Sequence, residues 1–305
     1  MDGRYRFCFY AFALMVFMAL ATAARAESGI LVLGRISDDP QRHYDQLKPL
    51  LDYVVPRMAD VGIREGRILM APDASRMTSY LRHGRVDWVT ETAGSGLLLI
   101  DRAGALPVLF TERDGVRYYR SVLFVRHDST VQGLRDLRGR RLALQRPAST
   151  SAYLLPAITL LDHGVPMEIL PSPADRPRSG SVGYVFANSE ANIATWVLKG
   201  VVDAGAFSEV DLEQLRARDP RAEALRVVGR SPQAPRAMEL VRPDLDARVR
   251  RRLTEVLAAA AEDPEAAPAL RRFFGTTAFQ RPEPADLAAL AVLADAARRT
   301  REAIE

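Results

Sequence analysis

Short runs of Val, Ile and Leu alternate along this chain with longer stretches in which apolar residues return every three or four positions. The short runs predict strands at 30–36, 67–72, 86–92 and 107–112. Between the first two, Leu47, Leu50, Leu51, Val54, Val55 and Met58 fall on one face, which predicts a helix over 39–61 with a single buried side. Shorter helices are predicted at 75–83 and 93–103. A second set repeats the alternation, with strands at 121–126, 141–146, 167–170, 182–187 and 202–207 and helices at 149–163 and 189–199. Two more strands, 225–229 and 237–241, precede an Ala- and Arg-rich tail, 244–304, that predicts helices and no strand.

Strands alternating with helices at this spacing predict an α/β fold with parallel sheets, whose ligands bind beyond the carboxyl ends of the strands. Three irregular stretches interrupt the pattern. Residues 113–120 are polar around Gly115, residues 171–181 hold three prolines and three serines, and residues 230–236 hold Pro232 and Pro235. The middle one reads as a surface loop. The other two read as crossovers, giving one lobe from 27–120 plus 231–305, a second from 121–230, and a two-stranded hinge between them.

At 305 residues, 48% apolar and 26% charged, the composition excludes disordered, collagenous and coiled-coil chains. The 42 basic and 38 acidic residues are interleaved, and without a basic tract the net charge of +4 does not predict a nucleic-acid partner. Arg4 and Arg6 precede an almost wholly apolar run, 7–24, that ends at Ala24-Arg25-Ala26. This is the pattern of a secretory signal cleaved after Ala26 rather than of a membrane anchor. The single cysteine, Cys8, leaves with it, so the expected mature protein is exported, free of disulfides and located in the periplasm.

The most pointed local signal is 141–156, an apolar strand that runs through a short turn into Ser149, Thr150 and Ser151. Free N–H groups and the positive dipole at a helix start attract an anion, and hydroxyls add donors in the same direction. Plain N-capping needs only one of the three, and that reading stands beside the first. A second strand-to-helix junction carries Thr90, Glu91 and Thr92 ahead of Gly94-Ser95-Gly96. Glu91 there reads either as an acceptor for a proton or ammonium on the ligand, or as an acidic residue favoured by the helix dipole. At a third, Ser189 and Glu190 read as a cap followed by an acidic first turn. Tyr44, Tyr118 and Tyr119 read as packing residues or as rings that close over a ligand. G-x-S-x-G, H-E-x-x-H, Walker A and G-x-G-x-x-G motifs are absent, and His43, His83, His127 and His163 lack ligand spacing, so no catalytic residue, metal or cofactor is expected.

On Leu33-Gly34-Arg35, on Tyr44 with Leu47, Pro49 and Leu50, on 133–143 and above all on 147–156, the chain resembles the phosphate, phosphite and phosphonate substrate-binding proteins of ABC transporters, in the type 2 periplasmic binding superfamily. The segment 189–206 is similar to the family's helix and strand before the return crossover. The resemblance implies two α/β lobes closing on a ligand, with Ser149, Thr150 and Ser151 binding an oxyanion and Tyr44 reaching it from the first lobe. It also implies a monomer that delivers its ligand to an ABC permease. The other reading of the same fold is a sensor that presents its ligand-bound form to a membrane histidine kinase. The chain departs from the family pattern at Thr90–Ser95, where many members carry Gly-Pro and an aromatic, and at Ser189-Glu190, where many carry a histidine.

Overall fold

The computed structural model describes residues 29–304, and the expected leader lies outside the described residues. Strand β1 (Ile30–Ile36) alternates inward and outward positions and buries Leu31 and Leu33 completely. Asp39 then accepts the N–H of Arg42 and Pro40 supplies the preset φ of a first helical residue, which starts α1 (Pro40–Val54). The predicted 39–61 helix tightens into 3-10 turns over Val55–Val61, because Pro56 has no N–H to continue the α-helical ladder. The face bearing Leu47, Leu50, Leu51 and Val54 is buried, as the spacing predicts.

The first alternation continues through β2 (Glu65–Ala71), α2 (Ala74–Arg82), β3 (Trp88–Glu91), α3 (Ala93–Ala103) and β4 (Leu106–Arg113). After β5 (Tyr118–Tyr119) the second comprises β6 (Ser121–Arg126), β7 (Arg141–Leu144), α4 (Leu155–Asp162), β8 (Met167–Ile169) and β9 (Val182–Phe186). It ends with α5 (Glu190–Leu198), β10 (Ala204–Ser208), α6 (Glu209–Arg218) and β11 (Leu225–Arg230). The chain returns through β12 (Ala234–Pro235) to β13 (Ala237–Val241), α7 (Ala247–Ala259), α8 (Ala267–Arg272), β14 (Thr276–Gln280) and α9 (Pro284–Ile304).

Two six-stranded sheets result, in the orders β14-β4-β13-β3-β1-β2 and β11-β6-β10-β7-β9-β8. In the first, β1 pairs in parallel with β2 and β3, while β13 lies antiparallel between β3 and β4. In the second, β10, β7, β9 and β8 are parallel and β6 is antiparallel to both β10 and β11. The two crossings run side by side, with Tyr118 opposite Pro235 and Tyr119 opposite Ala234. A strand in the tail corrects the expectation of helices alone: β14 adds to the edge of the first sheet through antiparallel pairing with β4. Helix α6 was not anticipated either, because its EVDLEQLRAR buries only Leu212 and shows no apolar stripe.

The last helix belongs to both lobes. Leu290, Leu293, Ala296 and Ala297 of α9 share one apolar cluster with Met77, Leu81 and Leu97 of the first lobe and Leu154, Leu155 and Ile158 of the second. Its start is anchored at the crossing, where Asp286 accepts from Arg117 Nη2 at 2.6 Å and from the Tyr118 hydroxyl. No helix among the described residues is long and apolar enough to cross a membrane.

Candidate functional site

The carboxyl ends of β1, β3 and β4 bring Arg35, Glu91 and Arg113 together at one edge of the first sheet. Glu91 is 3% exposed, and its Oε1 accepts the Ile36 N–H at 2.7 Å. Arg35 donates to the Thr90 carbonyl at 2.7 Å and stands 3.9 Å from Glu91 Oε2. Burial pushes the Glu91 carboxyl above the usual range, against the pull of Arg35, the Ile36 N–H and Arg113. Arg113 is 7% exposed, and its Nε and Nη2 have no hydrogen-bond partner among the described residues; neither has Arg35 Nε. Burial first, and the like charge of Arg35 second, lower the Arg113 pKa to about 9, which leaves it cationic at neutral pH.

Phe274 fixes both guanidiniums. The centroid of its ring lies 4.5 Å from the Arg35 guanidinium carbon and 4.6 Å from that of Arg113, so both cations stack on one aromatic ring. The backbone there is left-handed, φ 55°, an unfavourable state for a bulky residue that surrounding structure must hold in place. Behind the arginines Glu239 on β13 is fully buried and accepts from Trp88 Nε1 at 2.6 Å, Thr90 Oγ1 at 2.8 Å and Thr111 Oγ1 at 2.7 Å. One carboxylate thereby ties β13 to both neighbouring strands.

From the second lobe, the turn after β7 meets this edge. Ser149 accepts the Ala152 N–H at 3.1 Å as a cap, and Thr150–Leu154 wind as a π-helical turn ahead of α4 rather than as the ordinary helix start that was expected. Thr150 Oγ1 accepts the Gly94 N–H at 2.7 Å and donates to Thr92 Oγ1 at 2.9 Å, both across the seam. Burial raises the Tyr119 pKa, against the opposing influence of Arg236 and of the Thr150 and Ser151 side chains. Arg236 lies over the Tyr119 ring at 4.9 Å, and Arg146 pairs with Asp38 across the seam.

Of the residues expected at the site, Glu91, Thr92, Thr150 and Ser151 are gathered at this seam. Thr90 sits in the same strand, but its hydroxyl is committed to Glu239 behind the sheet. Ser189 caps α5 through the Asn192 N–H, and Glu190 accepts from Gln145 Nε2 at 2.9 Å, its carboxyl raised chiefly by burial. Tyr44 is 43% exposed on the first turns of α1. Arg113, Phe274 and Glu239 were not singled out. A lone glutamate in the apolar run Ala237–Val241 was the readable signal, since a buried carboxylate requires donors and a nearby cation. Among the described residues, no three His, Cys, Asp or Glu side chains gather as a metal site.

Two α/β lobes joined by paired crossing strands, with cationic and hydroxyl groups converging from both, define a periplasmic binding protein of type 2. Residues 35–287 match the profile of the family described as ABC transporter, phosphonate, periplasmic substrate-binding protein, and the chain belongs to that family. It is 50% identical to XAC2383 from Xanthomonas citri, with a TM-score of 0.86 over 90% of this chain and 99% of that one in a structure bound to chloride ion. A second structure of XAC2383, bound to ATP, superposes equally well, at TM-score 0.86. A binding protein component of an ABC phosphonate transporter from Pseudomonas aeruginosa, 22% identical, shares the fold at TM-score 0.64 over 89% of this chain and 87% of that one. The phosphate-import protein PhnD of Mycolicibacterium smegmatis is 28% identical over 129 residues, 41% of this chain, and the match spans only 39% of that protein.

Proposed function

We propose that this protein is the periplasmic solute-binding component of an ABC transporter and that it closes its lobes on a phosphorus oxyanion, either a free phosphate, phosphite or phosphonate or the phosphoryl end of a larger ester. The observation that carries the reading is the buried, cationic Arg113 at the seam, with two N–H-bearing nitrogens that no group among the described residues satisfies. A buried guanidinium that feels the carboxylates of Glu91 and Glu239 but is hydrogen-bonded to neither is costly unless an anion completes it. Arg35 Nε adds a donor beside it, and Thr92 and Ser151 add hydroxyls from the two lobes, the Thr150 hydroxyl being spent on holding Thr92 across the seam. Glu91, whose carboxyl holds its proton above the usual range, gives a partner for a ligand that itself carries a proton or an ammonium. That XAC2383 holds chloride in one structure and ATP in another supports an anion site in a chain this similar.

Contacts made by groups of both lobes exist only when the lobes are closed, so the ligand favours the closed form that a permease reads. The test is a thermal-shift and calorimetric panel on the chain from Glu27, with phosphate, phosphite, methylphosphonate, 2-aminoethylphosphonate, sulfate and ATP. Binding to the folded state raises Tm by mass action. The expected result is a shift with at least one phosphorus oxyanion that disappears in Arg113→Met. No shift with any of them, or a shift that survives the substitution, refutes the reading.

A further inference from the structure

Arg35 and Arg113 repel each other, and carboxylates do little to hold them together. Arg35 donates to the Thr90 carbonyl, with Glu91 Oε2 3.9 Å away. Arg113 feels Glu239, but that carboxylate is taken up by Trp88, Thr90 and Thr111. What both cations share is the Phe274 ring, whose centroid is 4.5 Å from one guanidinium carbon and 4.6 Å from the other. A carboxylate in that place would bind the pair more strongly, and it would also consume the N–H groups that a ligand needs. A ring face attracts cations through its quadrupole and takes no conventional hydrogen bond from them. Arg113 Nε and Nη2 and Arg35 Nε accordingly keep no partner among the described residues.

The backbone is bent to put the ring there. Phe274 and Gly275 are left-handed at φ 55° and 66°, and so are Asp114 and Gly115, at 51° and 76°, just after β4. The Asp114 N–H donates to the Gly275 carbonyl at 2.8 Å, and a Cβ at Gly275 would lie 2.5 Å from Asp114 Oδ1. Thr276, two residues beyond the ring, pairs with Arg113 itself. The His43 ring, held by Ser37 Oγ at 2.6 Å, packs on Phe274 with centroids 5.8 Å apart. Phe273 is fully buried and anchors this segment in the core, whereas Phe274 is half-buried. Core burial therefore does not explain the strained conformation of Phe274, and the two cations do. Resting on the oxyanion reading above, we infer that Phe274 is a positioning residue for the ligand: its ring face holds Arg35 and Arg113 side by side against their repulsion and leaves their N–H groups free for the anion.

Phe274→Leu keeps an apolar cover and removes the π face, whereas Phe274→Tyr keeps the face. Neither side chain is β-branched, so both meet the same backbone cost as phenylalanine. Phosphate, phosphite and methylphosphonate are titrated by calorimetry into each variant and the wild type, in the chain from Glu27, with urea unfolding to compare stability. The expected result is that the anion bound by the wild type is held about tenfold more weakly by Phe274→Leu, the size of one desolvated cation–π contact, and within about threefold of wild type by Phe274→Tyr. Phe274→Met, flexible and ringless, gives the same reading if the leucine variant fails to fold. A ringless variant within about threefold of wild type, or a tyrosine variant as weak as the ringless one, overturns the positioning role while leaving the oxyanion reading intact. If none of the three anions binds the wild type, the oxyanion reading falls and the positioning role falls with it.

Discussion

Thr150 is the residue whose removal reports most directly on closure. Its hydroxyl makes two hydrogen bonds across the seam, 2.7 Å from the Gly94 nitrogen and 2.9 Å from Thr92 Oγ1. A net contribution of about 1 kcal/mol for each, plus up to about 1 kcal/mol for a Gly94 N–H left buried without a partner, gives roughly 2–3 kcal/mol. In the open form these groups meet water, so Thr150→Ala weakens closure and leaves the open form unaffected. At 1.4 kcal/mol per factor of ten, the closing equilibrium falls by about 30- to 150-fold. If the ligand-free protein is mainly open, ligand affinity drops by the same factor. Thr150→Ser keeps the hydroxyl and is expected to stay within about threefold of wild type. The assays are calorimetry for affinity and fluorescence transfer between labels on the two lobes for closure without ligand. Thr150→Ala with affinity and the closing equilibrium both within about threefold of wild type refutes the reasoning.

Three further outcomes are expected. A methyl group at Gly94 would lie 2.9 Å from Thr150 Oγ1, so Gly94→Ala is expected to prop the seam open, and adding Thr150→Ala is expected to restore part of the closure seen by fluorescence transfer. Glu239→Leu leaves the Trp88, Thr90 and Thr111 donors without their shared acceptor and is expected to lower stability by about 3–5 kcal/mol in urea unfolding; a loss below 1 kcal/mol removes it from the core of the fold. Burial, Arg35 and Arg42 hold His43 down at about 4 from 6.5, so the unfolded chain takes up a proton that the folded chain refuses between those values. Stability from this group is therefore complete above pH 6.5 and lost as pH falls towards 4, and Tm against pH in His43→Gln is expected to lack that component.

Strand β1 lies where its alternation places it, and α1 has the buried face that its spacing requires, because one side of each element packs on the core and the sequence must repeat at that period. The seam was legible from its hydroxyl residues, and Thr150 does stand at it, although in a π-helical turn that no propensity distinguishes from an α-helical one. Arg113 was hidden by company: it opens a polar stretch with Glu112 and Asp114 beside it, and burial of that one member comes from β14 and Phe274 pairing over it from 160 residues away. Phe274 itself sits in a tail whose alanines and arginines carry a helical signal strong enough to conceal a five-residue edge strand. Short-range pattern registers what an element buries against its own sheet; it does not register what a distant segment lays across it.

The position of β13 between β3 and β4 governs the order in which the molecule assembles. All six strands of the second sheet come from one uninterrupted stretch, Ser121 to Arg230, whereas the first sheet stays in two pieces until residues 237–241 arrive to join β3 to β4. Closing a loop of more than a hundred residues carries an entropic cost that only a later contact offsets, and topologies rich in such contacts fold slowly. A folded second lobe reduces that cost, because β6 and β11 are neighbours in its sheet and carry β5 and β12 to the same place. The hinge that lets two lobes move in the finished protein is, during folding, the splint that makes one of them possible.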